Sequence, residues 1–193
     1  MKVLMLNGSR KDNGCTYTAL NEVSKELNEV GIETVVFNVG SRVVKGEVTE
    51  AVKEVVAMLD DIDGVVVGSP VYYASPSGEI VLFLDRLFGA AADKLKLKPA
   101  AAITSARRGG TTASLDVLNK YFTFNQMPVV SSRYWNMVHG NTPEEVLQDE
   151  EGVQIMHVLG KNMAWLLKCI EAGKAAGVDR PLPFESIKTN FIR

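Results

Sequence analysis

The stretch NGSRKDNGCTYT, residues 7 to 18, gathers glycines, hydroxyls, amides and cations between a short apolar run and a segment of helical period. That mixture suits an anion. Gly8 and Gly14 let the backbone turn and approach closely, Ser9, Asn13 and Thr16 can donate hydrogen bonds, and Arg10 or Lys11 can add positive charge. If a helix begins near Thr16, its free N–H groups and the positive end of its dipole face the same loop. A phosphate monoester would satisfy all of these groups, and a plain turn with a helix N-cap is the alternative reading. The nucleoside-triphosphate pattern G-x-x-x-x-G-K-[ST] is absent, because Gly14 follows Gly8 by six residues and Cys15 comes next. The dinucleotide pattern G-x-G-x-x-G is missing as well.

Two later stretches carry the same kind of chemistry. In GSPVYYASPSG, residues 68 to 78, Pro70 and Pro76 stiffen a segment that contains Val71, Tyr72, Tyr73 and Ala74 and could line a flat aromatic ring. In TSARRGGTTAS, residues 104 to 114, Gly109 and Gly110 allow close backbone approach, while Arg107 or Arg108 could offset negative charge on a ring. A phosphate loop followed by two ring-binding loops describes a mononucleotide with a large planar head. Flavin mononucleotide (FMN) has that shape.

The elements that must position these loops follow from periodicity. Compact apolar runs at 2–6, 33–38, 64–68, 100–104 and 128–132 alternate with helix-like segments near 16–30, 48–59, 78–88, 111–124 and 152–176. Most runs are apolar at consecutive positions, which predicts a parallel sheet buried on both faces. Right-handed crossovers then give a doubly wound α/β fold with five parallel strands in the order 2-1-3-4-5, its ligand site at the carboxyl ends of strands one and three. TPEE at 142–145 reads as a further helix start. A chain of 193 residues with 46% hydrophobic content predicts a single domain over 1–193. Its tail, 178–193, holds Pro181, Pro183, Phe184 and Phe191 and reads as an extended arm.

Charge and cysteine content narrow the function classes. A net charge of -2 offers no basic face for nucleic acid. The apolar start is too short for a membrane span or signal segment, and two cysteines, Cys15 and Cys169, suit a reducing cytoplasm rather than a disulfide framework. No metal site is expected at His139 or His157, and Asp60, Asp61 and Asp63 read as a solvated turn. Met156, Met163 and Trp165 recur at helical spacing, as a core or a subunit face would. Tyr134, Trp135 and Asn136, placed after the fifth strand, could wall a substrate or simply pack.

NGS and NGCT at 7–9 and 13–16, SPVYYASPSG at 69–78 and FLDRL at 83–87 resemble the NADPH-dependent FMN reductase family, over residues 1 to about 135. The resemblance is nearest to the branch that includes iron–sulfur flavoproteins. It implies a flavodoxin-like three-layer fold, bound FMN, NADPH or NADH as reductant, a small-molecule electron acceptor and a homodimer, with the arm or last helix contributing contacts. By it, Ser9, Lys11, Asn13, Gly14, Cys15 and Thr16 would meet the phosphate, Pro70, Val71, Tyr72, Tyr73 and Ala74 the isoalloxazine and ribityl, and Ser105, Ala106, Arg107, Arg108, Gly109 and Gly110 the pyrimidine edge. The sequence departs from the family where Arg10 stands for proline, Lys11 for arginine and Cys15 for asparagine. The iron–sulfur branch carries a cysteine cluster between strands two and three, and residues 39 to 62 have no cysteine, so no iron–sulfur cluster is expected. An oxidoreductase reducing quinones, free flavin, nitro or azo compounds is the leading expectation. A flavodoxin-like electron carrier and a non-redox FMN-binding protein are the alternatives, and no catalytic residue is assigned.

Overall fold

A computed structural model describes residues 1–181, 184–185 and 187–191. Strand β1 (Lys2–Asn7) leads through the first loop into α1 (Cys15–Glu29), then β2 (Glu33–Asn38), α2 (Val39–Val44), α3 (Val48–Met58) and β3 (Gly64–Tyr72). The two-residue β4 (Ser75–Pro76) precedes α4 (Gly78–Leu95), β5 (Ala100–Ala106), α5 (Thr111–Phe124), β6 (Met137–His139), α6 (Pro143–Gln148) and α7 (Glu150–Ala175).

The consecutive apolar runs serve two cores at once. Leu4 and Leu6, Val65 and Val67, and Ala100 and Ala102 face one core with Phe83, Leu84 and Phe122 of α4 and α5. Their neighbours Val3, Met5, Val66, Ala101 and Ile103 face the other, with Leu20 and Val23 of α1 and Leu159 and Met163 of α7. Two-residue periodicity thus survives inside runs that show no polar alternation. The result is the flavodoxin-like three-layer α/β fold.

Parallel pairing runs β2-β1-β3-β5-β6, with β4 antiparallel to the end of β3. Counted along the chain the order is therefore 2-1-3-5-6 rather than 2-1-3-4-5, because the short hairpin return takes the fourth place. The last parallel strand also lies later than the expected 128–132. Pro128 and Val130 make one bridge at the start of β5, through Ala100. The chain then leaves the edge and returns to pair as Met137–His139 beside Thr104–Ala106. Pro128 lacks an N–H, and an edge strand needs partners on only one side, so the run can break without orphaning buried backbone. Tyr134, Trp135 and Asn136 consequently precede the final strand. Asn136 donates to Ala102 O at 3.0 Å, whereas Tyr134 and Trp135 stand exposed, ring against ring.

Helix α2 has no counterpart in the sequence reading. The described residues of the C-terminal arm are free of helix and strand, with the Phe184 ring 4.9 Å from Lys96 Nζ; Pro183 lies outside the described residues. No helix among the described residues is long and apolar enough to cross a membrane.

Candidate functional site

The first loop is organised from beneath by Asn7, the fully buried last residue of β1. Its Oδ1 accepts from Ser9 N at 3.1 Å, and its Nδ2 donates to Asp12 O at 3.2 Å and to Asn38 Oδ1 at 3.0 Å. Ser9 Oγ in turn accepts from Lys11 N at 3.1 Å. Gly8 is tied to β3 through a 2.8 Å bond to Gly68 O. Helix α1 then starts on Gly14, which has no side chain to cap it, so the N–H groups of Cys15, Thr16 and Tyr17 have no intrahelical partner. Ser9 and Thr16 are buried at the loop base, and Lys11 and Asn13 are exposed above it.

Two elements outside the loop hold its shape. Gly40 of α2 rests on it so closely that a Cβ there would lie 2.3 Å from Ser9 C and O. Ser77, fully buried at the N-cap of α4, donates to Gly8 O at 2.8 Å and accepts from Ile80 N at 3.3 Å, while its own N–H donates to Ser69 Oγ at 2.9 Å.

Pro70 and Val71 lie in the end of β3, and Tyr72 pairs with Ser75, leaving Tyr73 and Ala74 as a two-residue hairpin loop. The Arg10 guanidinium sits 5.7 Å from the centre of the Tyr72 ring and pairs with Glu79 at 2.7 Å, so the first loop is strapped to the start of α4. The third stretch, after β5, comes alongside: Ser105 Oγ meets Thr16 Oγ1 at 2.8 Å. Gly110 caps α5 with φ +98°, and a Cβ there would lie 2.6 Å from Ala74 Cα. Ala106 is buried, and Arg107, Arg108 and Gly109 are exposed. The three loops read from the sequence therefore meet at the carboxyl edge of β1, β3 and β5.

A fourth side was not foreseen. Gly140, just after β6, donates to Ala106 O at 3.0 Å, and its carbonyl faces Cys15 Sγ at 3.8 Å. Asn38 and Gly40 were missed too, and Asn7, Ser69 and Ser77 were quoted within their motifs without a role. Only Ser77, a hydroxyl just before a helical segment, carried a local signal.

The donor set fits an anion and a planar ring. Two helices, α1 and α5, open on glycines with no side-chain cap, and Lys11, Arg10, Arg107 and Arg108 add cations around them. Thr104 Oγ1 is buried at the base of the third loop with no hydrogen-bond partner. Cys15 is a poor thiolate here, because burial pushes its thiol up against the opposing pull of its backbone hydrogen bond and Lys11.

Other titratable groups lie elsewhere. On the far half of α1, burial works to raise the Glu22 carboxyl, yet hydrogen bonds from Lys25 at 2.6 Å and His157 at 2.9 Å outweigh it and hold the group below the usual carboxylate range. Asp60 pairs with Lys94, and Asp63 accepts from Lys2 N, at the opposite edge of the sheet. Among the described residues no group of three or more His, Cys, Asp and Glu side chains is placed to hold a metal ion. A cavity of about 570 Å³ opens on the outer face of α4 and α5, lined by Asp85, Phe88, Val117, Tyr121 and Phe124, and is not part of the loop site.

Comparison with known proteins finds relatives in sequence and in fold. The sequence model described as NADPH-dependent FMN reductase matches residues 1–142. Two iron–sulfur flavoproteins of Methanocaldococcus jannaschii are 26% and 27% identical, over 89% and 81% of this chain and 100% and 91% of their own. Among solved structures, RosB with a bound formylriboflavin phosphate intermediate superposes with a TM-score of 0.71 at 14% identity, covering 99% of this chain and 92% of that one. A WrbA-like flavodoxin from Agrobacterium tumefaciens gives 0.64 at 15% identity, with 87% and 97% coverage. At such identities the structures speak for the fold.

Proposed function

The chain belongs to the NADPH-dependent FMN reductase family, and from that premise we propose that it binds FMN at the three-loop site, takes hydride from NADPH or NADH and reduces a small acceptor. Quinones, free flavin, nitro and azo compounds are the acceptor classes. The observation that carries this reading is the convergence of two uncapped, glycine-started helices and a proline-stiffened aromatic hairpin on one sheet edge.

In this assignment Ser9, Lys11, Asn13, Gly14, Cys15 and Thr16 take the phosphate, chiefly through the free N–H groups of α1 and the Ser9 and Thr16 hydroxyls. Pro70 to Ala74 flank the ring and ribityl, and Ser105 to Gly110 address the pyrimidine edge, with the Thr16–Ser105 bond holding the two ends in register. FMN, when bound, supplies the two-electron chemistry. The chain's own residues bind, orient and leave one face open. The resident thiols do not fit an iron–sulfur cluster: Cys15 opens α1, and Cys169 lies near the end of α7, which runs alongside α1 in the same direction. The two cysteines of this chain therefore offer no ligand set for the cluster named in the Methanocaldococcus relatives. The free thiols suit a reducing cytoplasm.

The test is a spectrum of protein loaded with FMN, recorded before and after anaerobic NADPH or NADH. Bleaching of a bound yellow flavin is the expected result. A bound flavin that ignores both nicotinamides would favour the electron-carrier reading, and no flavin uptake would remove the assignment of the first loop.

We also propose that the chain pairs with a second copy, the outer face of α4 and α5 contributing contacts in addition to the arm or last helix. Phe124 is 87% exposed and Leu82 41%, beside the cavity lined by Phe88 and Tyr121. Light scattering should give twice the 21.0 kDa chain mass, and Phe124→Glu should return it to one chain. A wild-type monomer at micromolar concentration would overturn this interface.

A further inference from the structure

The hairpin between β3 and β4 holds the chain where its own residues would not place it. Tyr73 and Ala74, the two loop residues between the Tyr72–Ser75 pair, have φ of +51° and +57°. A two-residue loop with both φ positive is the turn that Asn-Gly or Gly-Gly fills readily, whereas a Cβ at either position is disfavoured. A neighbouring stretch shows the usual solution, since Gly110 takes its positive φ as a glycine.

Nor can the turn relax. Ala74 abuts Gly110, Ser75 and Pro76 pair back onto β3, and the next residue, Ser77, is buried and bonded to Gly8. Held on these sides, the hairpin carries Tyr73 at its tip with 103% relative exposure, a whole aromatic side chain in water. Its neighbour Tyr72 is engaged by Arg10, and Tyr73 contributes nothing to either core. A strained position that also leaves an aromatic ring in water gains the fold nothing, and such positions cluster where a ligand is bound.

We propose that Tyr73 is the outer stacking surface for a planar aromatic electron acceptor, and so a determinant of acceptor selectivity. This rests on the FMN reductase reading above. The acceptor class is a fused-ring quinone or an aromatic nitro compound, whose flat face gains from an aromatic ring carried at the edge of the site on a fixed backbone turn. A compact inorganic oxidant such as ferricyanide has no such face to offer.

The experiment compares wild type, Tyr73→Phe and Tyr73→Asn, each loaded with FMN and supplied with NADPH, using a naphthoquinone and ferricyanide as alternative acceptors. Asn suits the left-handed turn, so Tyr73→Asn should melt at or above the wild-type temperature, and its kinetics are taken at saturating FMN because Tyr73 belongs to the stretch assigned to the ring. Its KM for the naphthoquinone should rise about tenfold with kcat little changed, the size expected from losing one aromatic contact. The KM for ferricyanide should rise far less than that for the naphthoquinone, and Tyr73→Phe should behave as wild type with both. An unchanged naphthoquinone KM in Tyr73→Asn, or an equal rise for both oxidants, would overturn the proposal while leaving the reductase reading intact. Wild-type protein that takes up no FMN would overturn both.

Discussion

Gly40→Ala should cost the protein its flavin. The added Cβ would lie 2.3 Å from the carbonyl carbon and oxygen of Ser9 and 2.6 Å from Gly8 O. These are backbone atoms, so no rotamer change relieves the clash, and either α2 or the first loop must move. Overpacking of this kind costs about 1 to 3 kcal/mol. The loss should fall hardest on ligand affinity, because the displaced atoms belong to the loop assigned to the phosphate. FMN affinity weaker by about a hundredfold, equivalent to about 2.7 kcal/mol, is the expected reading in a fluorescence titration. The denaturation midpoint, measured without FMN, gives the stability part separately. Flavin affinity within about twofold of wild type would show that Gly8 and Ser9 do not cradle the phosphate.

Ser77→Ala removes one hydroxyl with two duties. Its oxygen accepts from Ile80 N at the start of α4 and its proton goes to Gly8 O. Losing an N-cap costs about 1 kcal/mol. Leaving the buried Gly8 carbonyl without that donor adds about 1 to 3 kcal/mol. A total near 2 to 4 kcal/mol should appear in chemical denaturation of the apoprotein. Ser77→Thr keeps the hydroxyl and should recover part of it. A loss below about 0.5 kcal/mol for the alanine variant would mean that the first loop does not depend on this tie.

These two positions also show what the sequence could and could not reveal. β2 at Glu33–Asn38 and α5 at Thr111–Phe124 have the bounds their periodicity predicts, since each is a regular pattern ended by turn residues. The first loop was legible for a related reason: glycines, hydroxyls and cations between a strand and a helix are a local signal. Helix α2 was not. Its sequence, VGSRVV, combines glycine with β-branched residues of modest helix propensity. It is held instead by Arg42, which pairs with Glu47 and Glu54 and lies 5.6 Å from the Phe37 ring. The Asn7–Asn38 bond joins residues 31 apart, and Ser77 meets Gly8 across 69 positions, distances no window of periodicity spans. The displaced last strand failed for another cause. A two-valine run at Val129–Val130 looks the same whether it continues as a strand or makes one bridge and leaves.

The strand order bears on the sequence of events as the chain leaves the ribosome. β1, β2 and β3 are adjacent in the sheet, and their pairings, Lys2 with Glu33 and Val3 with Gly64, need only the first 72 residues. The bonds that shape the first loop, Gly8 to Gly68 and Ser77 to Gly8, close by residue 77. Parallel neighbours that are also close in sequence have the shorter closures to make, so this half can form while the rest is still being synthesised. The cradle assigned to the phosphate is thus a product of the early chain. The Ser105 contact with Thr16, the Gly110 turn against Ala74 and the Gly140 closure over Cys15 arrive afterwards, on a frame already in place.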